Sequence, residues 1–190
     1  MTVNELIPPH GGKLVNLVAS GDKCSKLEEE ARSLLRIALP EREQCDLELL
    51  AIGAMSPLMG FMGEAEFHSV CDSMKLSNGL PWSVPITCSV DEPTAGKIDK
   101  GQRVALTDDR DRTLAVLTVK EKYAHDKKKE CEKVYLTTED AHPGAAVTMS
   151  QGNVCLGGDV EVVTPRHEPE FGTYRMTPAQ TRAAFAEHGW

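Results

Sequence analysis

The chain has 190 residues, 41% of them hydrophobic and 26% charged, and a net charge of −8. That composition excludes a disordered chain, and no apolar run approaches the ~20 residues that a membrane-spanning helix needs. The negative charge argues against a phosphate-backbone partner, because nucleic-acid affinity rests on lysine and arginine. The first residues, MTVNELIPPHGGKL, lack the layout of a secretory signal or a transit peptide, so the chain reads as a cytoplasmic protein without a membrane partner.

In chain order, residues 4–20 read as an irregular entry broken by Pro8, Pro9, Gly11 and Gly12. Residues 25–36 set Leu27, Ala31, Leu34 and Leu35 on one helical stripe, with Ser25 as cap and Glu28 at its capping-box position. Residues 37–39 predict a short strand, and after the break at Pro40 residues 45–55 predict a second helix. The stretch SPLMGFM (56–62) crowds four large apolar side chains, Leu58, Met59, Phe61 and Met62, among turn formers. It belongs either to the chain's own core or to an interface with another domain. Residues 63–74 carry Phe67, Val70, Cys71 and Met74 at helical spacing, and LSNGLPW follows as a loop.

The period then changes to two. Residues 83–90, 103–107 and 113–123 are β-branched segments bounded by Gly, Pro and Asp, and DDRDR (108–112) reads as a hairpin connection. Residues 127–135 predict a helix, TTEDAHPG (137–144) a polar turn, and 160–163 a last short strand. TPRHEPEFGTYRMTP (164–178) is polar and proline-bearing, which marks a boundary. At its end Thr177 and Pro178, with Gln180, form a capping-box signature, Ala183, Ala184 and Phe185 give an apolar side, and Gly189 terminates the helix before Trp190. The fold class is therefore α+β, with helices early and a β-rich barrel or sandwich in the middle.

Chemistry-bearing motifs are sparse. No GxxxxGK[ST], GxGxxG or GxSxG segment is present, and GGK at 11–13 lacks the first half of a phosphate loop. His142, before Pro143 and Gly144, is the best single candidate for a working residue; the competing reading is that it caps or braces a turn through one ring nitrogen. Lys127, Lys128 and Lys129 form the one basic triplet, flanked by Asp126, Glu130 and Glu132, and read as a solvated helix face. Asp108, Asp109 and Asp111 do not satisfy the spacing of a calcium loop. None of the six cysteines lies within three residues of another, so most should be reduced and partly buried, and a metal site would have to be assembled from distant residues.

The order of segments resembles one family. PPHGGKLVNL, DLELLAIGAMSPLMGFMGEAEFHSV, LPWSVPITCSV, VALTDDRDRTLAVLTVKEKY, DKKKECEKVYLTTEDAHPGAAV and YRMTPAQTRAAFAEHGW together resemble the N-terminal portion of the ATP sulfurylases (sulfate adenylyltransferases). DDRDR, where relatives often have a glycine-containing turn, and Cys131, where alanine is common, depart from the pattern. The resemblance implies a PUA-like β-barrel domain over 1–164 with flanking helices. It also implies a connector and first helix over 165–190 leading to an α/β nucleotidyltransferase domain. In that second domain, which these residues do not include, a Gln-Thr-Arg-Asn-Pro segment and an HxxH pair would serve sulfate and Mg-ATP. Thr181 and Arg182 share only two residues with the former and sit in the preceding helix.

The resemblance thus implies no catalytic, substrate-binding or metal residue in this chain and no cofactor of its own. Its expected partner is the catalytic domain of the same enzyme, which would bind ATP and sulfate within a homo-oligomer and form adenosine 5′-phosphosulfate and pyrophosphate. The alternative is a PUA-like RNA-binding module, for which the 5% aromatic content and the net charge of −8 offer little stacking or basic surface.

Overall fold

A computed structural model describes residues 6–163 and 171–190. The elements are α1 (Asp22–Ala31), β1 (Leu35–Ala38), α2 (Glu41–Ala51), β2 (Gly60–Phe61), α3 (Glu64–Ser73), β3 (Ser89–Val90) and α4 (Glu92–Ala95). After these come β4 (Arg103–Thr107), β5 (Thr113–Ala124), α5 (Lys127–Glu130), α6 (Pro143–Ser150), β6 (Val154–Val162) and α7 (Pro178–His188). The α+β class is as expected. Among the described residues no helix is long and apolar enough to cross a membrane.

The strands form one sheet of order β1-β4-β5-β6-β2, with β3 also paired to β6. β2 and β3 lie antiparallel to β6, Gly60 opposite Asp159 and Ser89 opposite Cys155. This path has two ends, β1 and β2, and among the described residues it does not close into the expected barrel. The segment 83–90, expected to be a strand throughout, pairs as one only at its last two residues. Pro85 has no N–H to give a ladder, and residues 85–88 are all buried rather than alternating. β6, in contrast, starts at Val154, six residues before the expected 160. Its Gly157 and Gly158 hid the strand, because glycine in a strand interior signals close backbone approach rather than strand propensity. A Cβ on Gly157 would lie 2.7 Å from Gly63 Cα, and one on Gly158 would press on the Thr118 carbonyl.

The described residues form two compact units. The first takes in those up to Met59, Ala105–Val116 and those from Val160 on; the second comprises Gly60–Val104 and Leu117–Asp159. In the first, Leu27 and Ala31 of α1 bury against Ala19, Ala105, Val116 and Val163, with Cys24 and Leu34 half-buried beside them. α1 starts three residues before Ser25 because Gly21, at φ 57°, turns the chain into it, and Ser25 lies inside the helix. α2 likewise starts directly after Pro40, with Glu41 and Glu43 in the first turn where the helix dipole favours carboxylates.

In the second unit Phe67 and Cys71 of α3 pack on Tyr123 and Cys155. Phe67 is fully buried, which contributes roughly 1.5–3 kcal/mol from its apolar surface. Met74, placed on the same stripe by spacing, is instead 59% exposed, since it takes a left-handed φ of 53° just past the helix end. Two short helices were not expected. α4 begins behind Asp91, whose Oδ1 accepts from Thr94 N at 2.8 Å, and α6 begins behind His142 with Pro143 in its first turn.

α7 follows its sequence signature: Thr177 and Gln180 make the reciprocal capping box, and Gly189 closes the helix at φ 71°. Its apolar side, however, is not buried. Phe185 is 41% and Trp190 69% exposed, the Trp190 ring lying against His188 and Phe185 at centroid distances of 5.2 and 5.9 Å. The boundary expected near residues 164–165 lies outside the described residues.

Candidate functional site

The most concentrated polar chemistry in the second unit lies where β5 runs into α5. Asp126 caps α5, its Oδ1 accepting from Lys129 N at 3.0 Å. The capped turn brings His125 and Glu130 together, Nε2 to Oε2 at 2.8 Å, with both side chains wholly removed from solvent. Thr148 Oγ1 of α6 donates to the other carboxylate oxygen at 3.4 Å. His125 Nδ1 faces the Gly152 carbonyl at 3.3 Å, and Phe67 presents its ring edge-on to the imidazole at 5.7 Å. Every polar atom of the imidazole and the carboxylate is thus matched. Such a buried set holds structure together and is closed to a ligand.

Its field is felt by its neighbours. Burial, with the Glu130 charge adding to it, pushes the Cys71 thiol up to about 12. Burial and then the Glu130 and Glu132 charges raise the Cys131 thiol, and burial first of all raises the Tyr123 phenol, whose hydroxyl donates to the Met62 carbonyl at 3.0 Å. Neither Cys71 nor Cys131 is poised as a thiolate nucleophile. All six cysteines are thiols, four buried and two half-buried, as the sequence suggested.

The lysine triplet departs from its expected reading. Lys128 is solvated beside Glu132 at 3.6 Å, but Lys127 Nζ donates to the Met149 and Gln151 carbonyls and to Asn153 Oδ1 at 3.3, 2.9 and 2.8 Å. Lys129 Nζ reaches Asp72 Oδ2 at 2.8 Å and His68 Nδ1 at 3.1 Å, and its hydrogen bond holds the Asp72 carboxyl below its usual range. Glu130, counted with the solvated charges, is the buried one. Glu130 lies five residues after His125, and its sequence neighbours, Lys128, Lys129 and Glu132, give no local signal that it turns inward.

His142 does what its plainer reading said. Its Nδ1 accepts from Ala145 N at 3.2 Å and caps α6, while the ring packs on Tyr135 at 5.2 Å. In SPLMGFM, Phe61 and Met62 enter the core, Leu58 is half-buried and Met59 is 50% exposed. Of the GGK segment, Gly11 and Gly12 lie in a single 3-10 turn, His10–Gly12, and Lys13 follows it in extended conformation.

The three aspartates of the hairpin do not converge. Asp108 is buried and accepts from Arg110 N and Arg112 N at 3.0 and 2.8 Å and from Arg112 Nε at 2.6 Å. Asp111 accepts from Arg36 Nε at 2.7 Å. Burial disfavours the Asp108 charge, yet the Arg112 and Arg110 hydrogen bonds outweigh it and hold the carboxyl below the usual value. A depressed carboxyl stabilises the fold above its unfolded pKa of about 3.9, and this contribution is lost as pH falls through the lower folded value. The wild-type midpoint in urea should therefore drop on acidification below about pH 4, and Asp108→Asn should lower it at pH 7 and flatten that acid limb. Equal acid limbs in the two proteins would contradict this assignment.

Among the described residues no group of three His, Cys, Asp or Glu could hold a metal ion. Residues 7–165 match the model of the PUA-like domain. The chain belongs to the PUA-like domain family. This PUA-like chain is 44% identical over its full length to a sulfate adenylyltransferase of Synechococcus sp. (strain JA-3-3Ab), covering 49% of that relative. It is also 44% identical, over 98% of its length, to the sulfate adenylyltransferase of Acaryochloris marina, covering 48% of it. Among solved structures it matches a hexameric APS kinase from Thiobacillus denitrificans with a TM-score of 0.74 and 33% identity, over 98% of this chain and 32% of that one. The PUA-like chain thus spans about half the length of the curated relatives it matches.

Proposed function

We propose that these residues form the N-terminal PUA-like portion of a sulfate adenylyltransferase. What carries the reading is the 44% identity, running through the whole chain, to proteins of that name. In such an enzyme a sulfate oxygen attacks the α-phosphorus of ATP, forming adenosine 5′-phosphosulfate and releasing pyrophosphate. That transfer depends on positioning and on positive charge around the phosphates. The present chain has a net charge of −8, and two lysines of its one basic triplet are engaged elsewhere, Lys127 with the Gln151 carbonyl and Asn153 and Lys129 with Asp72. On this reading the chemistry belongs to the portion of the enzyme that these residues do not cover.

On this reading residues 1–164 are the PUA-like domain, and residues 165–190 are a connector whose helix α7 opens the catalytic domain. The PUA-like portion serves by packing against that domain, inside a cytoplasmic homo-oligomer. Calorimetric titration of the 190-residue chain with Mg-ATP and with sulfate should give only heats of dilution. A saturable isotherm with a Kd below ~1 mM for either would overturn the assignment of binding to the other portion.

A further inference from the structure

Residues 127–136 carry two departures from regular helix in immediate succession. α5 gives way at Cys131 to five residues of π winding, Cys131–Tyr135, a geometry that is rare and usually confined to single turns. The winding ends on Leu136, a leucine in the left-handed region at φ 58° with its side chain 84% exposed. Directly before it stands Glu130, held by His125 and by Thr148.

Both ends of the π turn are fastened to the same helix. At the near end Glu130 takes the Thr148 hydroxyl, toward the C-terminus of α6. Next to it Cys131, the first residue of the turn and fully buried, points its thiol at the Ala145 carbonyl at 3.8 Å. At the far end Tyr135 lies on His142, the N-cap of α6, and over Gly144, where a Cβ would come within 2.8 Å of Tyr135 Cε1. The two attachments fix how many residues must be fitted between them. An α-wound segment would turn everything after it by one residue, about 100°. Tyr135 would leave His142, and Leu136 could relax from its left-handed conformation.

We infer that residues 127–136 are a two-register element, held in the π register by the attachments of Glu130 and Tyr135 to opposite ends of α6 and able to rewind as α-helix when either is broken. The register sets which way Tyr135 and Leu136 face. The alternative winding uses the same residues and gains regular hydrogen bonding, so the buried Glu130 contacts and the Tyr135 ring contact decide between the two.

The test is NMR on the 190-residue chain with two variants that leave the His125–Glu130 pair in place. Thr148→Val removes the hydroxyl from the near end. Gly144→Ala introduces a methyl under Tyr135 at the far end, at a half-buried position whose φ is not positive. In each, the 13Cα shifts of 131–136 should move to α-helical values, Leu136 should lose its left-handed shift, and the Tyr135–His142 cross-peaks should disappear. The shifts of Asp22–Ala31 should stay in place. Retention of the Leu136 shift and the Tyr135–His142 cross-peaks in folded Gly144→Ala would overturn the inference, whether or not Thr148→Val folds.

Discussion

Glu130→Ala should lower the stability of the chain by about 3–5 kcal/mol, read as a shift of the urea midpoint at unchanged slope. The side chain is fully buried, and truncation removes the carboxylate opposite His125 Nε2 and leaves Thr148 Oγ1 without its acceptor. The other contacts of the imidazole do not replace it: Nδ1 already faces Gly152 O, and Phe67 offers only a ring edge. Most of the loss is the cost of isolating polar groups in a dry core, not the net worth of the pair, because the attraction in the pair is offset by the desolvation of both partners. Replacing both partners with apolar residues, His125→Leu with Glu130→Met, should accordingly recover much of what Glu130→Ala loses. If Glu130→Ala costs less than about 1 kcal/mol, the site is wetter than its geometry says.

How much of this was legible beforehand depends on the range of the forces involved. The strands at 103–107 and 113–123, the cap at Thr177 and the stop at Gly189 are fixed by local patterns, and they appear where the sequence puts them. The start of α1 went astray because a glycine at positive φ, not the serine cap, sets it. α6 was read as a turn because TTEDAHPG is polar, although Pro143 behind a capping His142 is itself a helix start. β6 was cut short by Gly157 and Gly158, whose reason lies in Gly63 and Thr118, far away in sequence.

The buried pair was missed for the same kind of reason. In sequence Glu130 stands among lysines and aspartates, and only the packing of α5 and the π turn on α6 shows that it points inward while Lys128 points out. The exposed Phe185 and Trp190 of α7 are the converse case: the sequence marks an apolar side, and the fold of these residues does not cover it.

The most direct test of the central claim compares two proteins in one assay. The 190-residue chain alone should release no pyrophosphate from ATP and sulfate above the no-enzyme rate. The same residues fused ahead of the remaining half of the Synechococcus sp. (strain JA-3-3Ab) relative should release it and form adenosine 5′-phosphosulfate, since the fusion restores the length that the chain does not cover. The expected difference is all or none. Sulfate-dependent pyrophosphate release by the chain alone, or a folded, ATP-binding fusion that stays silent, would contradict the account.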